Sequence, residues 1–294
     1  MSMRNLWRII KIVILLLLIG VVSLFVSHQW KRPQQEFSHT LKVLTYNTHA
    51  LCMGNKQQAQ QMLAYLNKQD ADIICLQEVR VYKDARRMTL NQLRQAMSQY
   101  PYTYYDFKRY NSRRQFGNVV FSRYPLINKQ TIPYESQNNI SSQCDVVIKK
   151  DTIRLIVNHL ESFRLMKEDL QLDTLSVSHF KQSSLSQKLH DASQLRQEQA
   201  KAVKAAINQS PHPVVAVGDF NSIPLSYVYG KIRWGMRDCF LEGSFGRLGN
   251  TYKKGPLGIR IDYILCSRNL TPIKCKVDRV KYSDHFPVCA TIGW

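Results

Sequence analysis

Seven short apolar runs, each bounded by polar or turn residues, constrain this chain more than any other feature. They cover residues 42–46, 73–76, 119–121, 153–158, 214–217, 261–265 and 287–292. Each is rich in β-branched or aromatic residues and bounded by polar or turn-forming ones, the pattern of a strand. Between them, residues 56–68, 84–99 and 185–208 repeat their apolar positions at helical spacing. Strands interleaved with helices predict one α/β domain over residues 41–294, with two sheets packed face to face. A hydrophobic fraction of 44% supplies such a core and excludes disorder over most of the length. Residues 161–190 are polar and of mixed pattern, and read as an insertion on one rim. Rigid strands carry functional groups on the loops at their ends, so the polar residues closing each run are where chemistry belongs.

Ahead of the domain, residues 12–26 form an almost unbroken apolar run, preceded by Ile9 and Ile10 and by the charges Arg4, Arg8 and Lys11. A spanning helix takes about 20 residues; the run approaches that length if Lys11 snorkels toward the head groups. The competing reading is a cleaved signal peptide. The nearest small-residue cleavage pattern, Val21-Val22-Ser23, would cut inside the run, which favours an uncleaved anchor. Residues 1–30 are therefore read as a signal anchor or transmembrane segment and residues 31–40 as a linker. Lys31 and Arg32 flank the far side, but three basic residues and the α-amine precede the run. The positive-inside rule then puts the N-terminus in the cytoplasm and the domain outside it, at the membrane.

The formal charge is +20, and only five basic residues and Glu36 lie before Leu41, so the domain itself is strongly basic. Such a field attracts nucleic acid, an anionic membrane or a phosphorylated small molecule, or simply keeps the protein soluble. Cys52, Cys75, Cys144, Cys239, Cys266, Cys275 and Cys289 make an odd count, so they cannot all pair within one chain. None sits in a C-x-x-C motif, which argues against zinc. Apolar neighbours make Cys75 and Cys289 buried small hydrophobes, and one or two disulfides stay open.

Six stretches carry reactive side chains. They are Thr45-Tyr46-Asn47-Thr48, Leu76-Gln77-Glu78-Val79, Gly117-Asn118 with Phe121-Ser122-Arg123, Asn158-His159-Leu160, Gly218-Asp219-Phe220-Asn221, and Arg260-Ile261-Asp262-Tyr263 with Ser283-Asp284-His285. Singly, each has a plain structural explanation. An Asn or Asp after a strand forms turns, Asp219-Phe220-Asn221 makes an Asx turn, and His159 satisfies a core hydrogen bond. Glu78 ends a solvated loop, and Asp284-His285 closes one. Their joint occurrence, in order and each after a strand, sets those explanations aside.

Together the stretches resemble the endonuclease/exonuclease/phosphatase superfamily, whose members include DNase I-like nucleases, abasic-site endonucleases, neutral sphingomyelinases and inositol-polyphosphate 5-phosphatases. The resemblance spans residues 42–294; its most specific pieces are Gly-Asp-Phe-Asn at 218–221 and Ser-Asp-His-Phe-Pro-Val at 283–288. It implies a four-layer α/β sandwich, two packed mixed β-sheets flanked by helices, and hydrolysis of a phosphoester with Mg²⁺ or Mn²⁺. Hard oxygen ligands suit those ions. By resemblance Glu78 is the principal metal ligand, helped by Asn47 and Asp284. Asp219 and Asn221 orient the attacking water and phosphate oxygens, or hold a second ion. His285 is the general base or a phosphate contact, its tautomer set by Asp262. His159 donates to the phosphate or leaving group, and Asn118 and Arg123 help bind substrate. His49 stands where the abasic-site branch commonly has an acidic residue, which argues against abasic-site repair.

Three functions compete. A membrane-tethered phosphoesterase acting on lipid head groups or small phosphoesters fits the apolar run, and an extracytoplasmic nuclease fits the charge. A non-catalytic binding module is disfavoured because every stretch keeps its reactive residues. The basic-aromatic residues 104–114 suit stacked bases, an anionic membrane or a solvated loop equally. No protein partner is expected.

Overall fold

The computed structural model describes Trp7 and residues 36–110, 113–136, 138–163, 184–244, 249–253 and 258–294. The chain divides into two compact units, Met1–Ser38 and His39–Trp294, and the second holds everything that follows. The expected anchor over residues 1–30 lies, Trp7 aside, outside the described residues, as do linker residues 31–35 and residues 164–183 of the expected insertion. Among the described residues no helix is long and apolar enough to cross a membrane.

Among the described residues, twelve strands form two six-stranded sheets. The first contains β1 (Thr40–Asn47), β2 (Ile73–Tyr82), β3 (Tyr102–Tyr110), β4 (Arg114–Ser122), β11 (Thr271–Val277) and β12 (Val288–Gly293), in the order β11-β12-β1-β2-β4-β3. The second contains β5 (Leu126–Ile132), β6 (Ser141–Ile148), β7 (Asp151–His159), β8 (Val214–Asp219), β9 (Met236–Asp238) and β10 (Asp262–Ser267), in the order β5-β6-β7-β8-β10-β9. Each sheet has one parallel pair near its middle, β1 with β2 and β7 with β8; every other neighbour is antiparallel. A parallel pair needs a crossover, supplied by α1 (Lys56–Lys68) in one sheet and α3 (Ser184–Asn208) in the other. Further helices among the described residues are α2 (Leu90–Ala96), α4 (Tyr227–Arg233) and α5 (Cys239–Gly243).

Side-chain alternation sorts the core into three layers of contact. In β1, Leu41 and Val43 join Val215, Val217 and Ile264 between the sheets, while Leu44 and Tyr46 point the other way, onto Met62, Leu63 and Leu66 of α1. In β8, Val215 and Val217 face inward; Val214 and Ala216 meet Ala200, Val203 and Ile207 of α3. The central strands are buried on both faces and so read as continuous apolar runs. The result is a helix–sheet–sheet–helix sandwich, as the resemblance implies. Truncating a buried leucine such as Leu63 to alanine would cost about 2–5 kcal/mol.

Three elements differ from expectation. The helix expected over residues 84–99 is confined to α2, because Thr89 and Gln92 close a capping box and Asp84 accepts from the Arg86 backbone in the preceding turn. The basic-aromatic stretch is not a loop: it builds the hairpin of β3 and β4 at one sheet edge. All seven cysteines are buried free thiols, so neither disulfide forms.

Candidate active site

The C-terminal ends of the two parallel pairs converge, and the chemistry lies there. Register sets Asn47 beside Gln77 in one sheet and His159 beside Asp219 in the other, with Asp262 of the antiparallel β10 across from Asp219. Glu78 follows in a β-bulge of β2, where its φ of +55° breaks the ladder and swings its carboxylate out of the sheet. At the tip of β8, Gly218 has φ +120°, and a Cβ there would lie 2.0 Å from the Asn158 carbonyl oxygen. Only glycine lets these strands approach so closely. Asn221, at φ +48°, then folds the chain back in the expected Asx turn, its N–H donating to Asp219 Oδ1 at 2.8 Å.

Asp219 is the hub. Its Oδ2 accepts from Asn47 Nδ2 at 3.0 Å and Asn221 Nδ2 at 3.3 Å, and lies 3.7 Å from His285 Nε2. The other ring nitrogen, His285 Nδ1, is 2.9 Å from Asp262 Oδ2. Asp262 is itself fixed where its backbone N–H donates to Thr251 Oγ1. The carboxylates of Asp219 and Asp262 are both 1% exposed. Burial pushes Asp219 up to about 6, against the pull of His285. Burial would lower His285, but the charges of Asp262 and Asp219 overcome it and raise the imidazole to about 10. The histidine is therefore a cation at neutral pH.

Glu78 lives in a different setting. Its carboxylate is 25% exposed and accepts from Asn47 Nδ2 at 3.2 Å. Burial opposes its ionisation, but the attraction of His159 and the Asn47 hydrogen bond prevail and hold it below the ordinary carboxylate range. His159 stands between two partners. Asn139 Nδ2, steadied by donating to the Leu160 carbonyl, lies 2.9 Å from His159 Nε2, and Glu78 Oε1 lies 3.4 Å from it. Neutral, Nε2 accepts from Asn139; protonated, it turns its proton on Glu78. The expected donor role belongs to the second state.

Asp284 and His49 form the outer lip, with His49 Nδ1 3.3 Å from Asp284 Oδ1. His49 opens a left-handed turn in which five successive residues, His49 to Met53, have φ between +47° and +58°. Each costs roughly 1–2 kcal/mol outside glycine. Buried Ala50, Leu51 and Cys52 and the Thr48 hydroxyl, which bonds Gln77 and Glu78 carbonyls, hold the turn. Strain of this kind collects at functional sites.

Residues from both sheets enclose a cleft of about 600 Å³, lined by the polar Glu78, Asp219, Asn221, Asp284 and His285 and the apolar Phe163, Ile223, Ile259 and Ile261, among others. Of the residues named from sequence, Asn47, Glu78, His159, Asp219, Asn221, Asp262, Asp284 and His285 come together here. Two do not. Arg123 sits past the far end of β4, ion-paired to Asp70 at 2.5 Å and Asp72 at 3.8 Å; five residues along a strand separate it from Asn118 by about 17 Å. Asn118 is buried below the cleft, where its amide donates to the Ile140 and Val157 carbonyls and Ser142 Oγ and ties the two sheets together.

Sequence reasoning missed several neighbours. Arg196 of α3, 4% exposed, faces the cleft, donates to the Glu161 carbonyl and stacks 3.8 Å over Phe163. Burial lowers its guanidinium to about 10, although Asp219 and Glu161 attract the charge. Tyr252 packs its ring 4.7 Å from that of His285. A lone Arg on a helix reads as solvated and Tyr252 lies in no apolar run, so neither carries a local signal.

The donor set fits a hard divalent cation. Asn47 Nδ2 lies between oxygens of Glu78 and Asp219 while its Oδ1 accepts from the His49 N–H, so an amide and two carboxylates, donors of the kind Mg²⁺ takes, converge there. Asp219, Asp262 and His285 also bring ligand atoms within 4.8 Å of one another, and Asp262 Oδ1 is buried with no partner. The Glu78 side is open to the waters that Mg²⁺ keeps, whereas the Asp219, Asp262 and His285 group is sealed from them.

A family model described as "Endonuclease/Exonuclease/phosphatase family" matches residues 44–285. Among solved structures, an endonuclease/exonuclease/phosphatase from Beutenbergia cavernae DSM 12333 superposes with a TM-score of 0.64 at 16% identity, over 86% of this chain and 71% of that one. Truncated Caenorhabditis elegans TDP2 gives 0.61 at 18% identity, over 88% and 99%. D. rerio TDP2 complexed with single strand DNA product gives 0.61 at 16%, over 87% and 100%. At these identities the likeness shows the fold alone. No curated protein sequence matches the chain.

Proposed function

Because the chain belongs to the endonuclease/exonuclease/phosphatase family, we propose that it is a divalent-metal-dependent phosphoesterase acting on a lipid head group or another small phosphoester. The observation that carries this reading is the pairing of Asp219 and His285 in a cleft that is also lined by Phe163, Ile223, Ile259 and Ile261. With its carboxyl raised to about 6, Asp219 is ionised at neutral pH yet basic enough to take a proton from an attacking water, near the optimum for a general base. His285, raised to about 10, is a fixed cation that meets the charge gathering on the phosphate oxygens. Of the two roles open to it in the sequence, phosphate contact is the one this charge supports. Asp262 holds the imidazole in place, and Asn221 aims Asp219. Protonated His159 would supply the leaving oxygen with a proton. Glu78, Asn47 and Asp284 would hold the Mg²⁺ or Mn²⁺, which when bound neutralises the phosphate and polarises it.

The apolar lining residues Phe163, Ile223, Ile259 and Ile261 suit a substrate with a hydrophobic or compact leaving group. Together with the apolar run at residues 12–26, it supports a protein anchored by residues 1–30, with its catalytic unit on the outer face of the membrane. A nuclease is the second reading, favoured by the +20 charge and by the likeness to D. rerio TDP2, whose structure holds a single strand DNA product.

The deciding assay incubates the protein with Mg²⁺ and supercoiled DNA, RNA, sphingomyelin, phosphoinositides or bis(p-nitrophenyl) phosphate, with Asp219→Ala as blank. Turnover of a lipid or small ester, abolished by EDTA and restored by Mg²⁺ or Mn²⁺, is expected. Cutting of nucleic acid alone would hand the site to the nuclease reading, and turnover that survives chelation would sink both.

A further inference from the structure

A smaller cavity of about 250 Å³ adjoins the cleft, sharing Glu78 and Ser162 with it. Its other lining residues are Arg80, Arg114, Phe116, Asn138, Asn139 and His159. Strand register explains how the arginines get there. On β2, Val79 and Val81 are buried on the helix side of the sheet, so Arg80 and Tyr82 face the other way. On β4, Phe116 lies opposite Arg80 and Arg114 opposite Tyr82, which brings both arginines to one face beyond the bulge that carries Glu78.

The electrostatics of Arg80 differ from those of other part-buried arginines in this protein. Arg123, Arg154, Arg237 and Arg260 each pair with a carboxylate, respectively Asp70, Asp145, Glu242 and Asp238. Among the described residues no carboxylate pairs with Arg80; its guanidinium instead lies 5.4 Å from the Phe116 ring centroid, a contact that fixes its position and leaves its charge facing the cavity. Glu78 is the single acidic residue in the lining, and it belongs to the metal-holding side of the cleft. Two guanidinium groups against one carboxylate, in a cavity large enough for a phosphate, make an anion site.

We propose that this cavity binds a second phosphate of the substrate, next to the one being hydrolysed, and that Arg80 and Arg114 select substrates carrying it. The proposal rests on the phosphoesterase reading and adds to it a substrate class: esters with two neighbouring phosphates. Those phosphates can come from a multiply phosphorylated head group or from a nucleotide chain, and matched substrates separate the two. One pair is a short-chain phosphatidylinositol with and without a ring phosphate. The other is the p-nitrophenyl ester of thymidine 5′-phosphate with and without a 3′-phosphate.

In at least one pair, kcat/KM is expected to be about tenfold higher for the member with the second phosphate. The Arg80→Gln/Arg114→Gln double variant should erase that preference while its turnover of bis(p-nitrophenyl) phosphate stays within twofold. No preference in either pair, or a preference that the double variant keeps, would overturn the proposal. If the unaltered protein turns over none of these esters, the phosphoesterase reading fails by itself. Calorimetric titration with pyrophosphate then judges the cavity: binding weakened about tenfold in the double variant upholds an anion site, and equal binding removes it.

Discussion

The two sheets build their halves of the cleft from the same plan and reach opposite electrostatic settings. Each contributes a parallel strand pair joined by a crossover helix, and each places an Asn or His and a carboxylate at the strand ends. On the β1–β2 side the carboxylates are wet: Glu78 is 25% exposed, and Asp284, in the loop before β12, is 39% exposed. On the β7–β8 side they are dry, with Asp219 and Asp262 sealed against His285. Water access decides what a carboxylate can do. A wet, ionised one can share a hydrated cation, which gives up its waters reluctantly. A dry one has its proton affinity raised by lost solvation and can take part in proton transfer. On the function proposed above, burial alone would separate cation holding from proton handling.

That division is open to attack from either side. The largest effect should come from the dry half. Asp219→Ala should lower kcat by about 10³-fold and His285→Ala by about 10²-fold, with melting curves showing the domain still folded. Near-normal turnover in both would mean that the dry half does no chemistry. On the wet half, Glu78→Gln should raise the Mg²⁺ concentration needed for half-maximal activity by at least tenfold while Asp219→Ala leaves it unchanged. An equal shift in both would erase the distinction.

A subtler test uses pH and metal-free protein. Because folding raises His285 from 6.5 to about 10, the folded state binds its proton more tightly than the unfolded chain does. The stabilisation is complete below pH 6.5 and is lost as pH climbs to about 10. Denaturant midpoints should fall across that window in the native protein and stay flatter in His285→Gln. Smallest of all, Arg123→Gln should leave kcat/KM within twofold and cost at most about 1 kcal/mol, since its ion pairs with Asp70 and Asp72 are part-exposed and remote. A larger loss of activity would return Arg123 to the substrate.

Most of the central fold was legible because β1, β2, β7, β8 and β12 are buried on both faces and write unbroken apolar runs into the sequence. The outer strands were not. β5 leaves its five middle residues exposed, β11 contains Pro272 and two lysines, and β3 mixes aromatic with charged residues at an edge. Strands of this kind bury too little to leave a strong periodic signal. Eight of the ten residues chosen for the site meet at the cleft, because each sits at the site end of its strand. Arg123 misled because it also ends a strand, but β4 runs antiparallel to β2 and ends at the wrong edge. Asn118 misled for another reason: mid-strand, its amide found acceptors in the opposite sheet. Arg80 and Arg114 gave no local hint, since only the register of β2 on β4 places them on one face.

The sealed thiols carry a consequence for how the protein opens. Five of them, Cys75, Cys144, Cys239, Cys266 and Cys275, lie in the seam between the sheets, and Cys52 and Cys289 lie under α1 and α2. Burial lifts Cys52 and Cys144 to about 12, so neither offers much thiolate to a reagent while its layer stays closed. Each thiol is a clock that starts only when its layer parts. Reaction with a bulky disulfide reagent, followed by mass, would time the seam and the helical layer separately. The same clocks run during synthesis: in an oxidising compartment, seven unpaired thiols must be enclosed before an oxidant finds them, and the speed of sheet closure becomes a condition of reaching the native state.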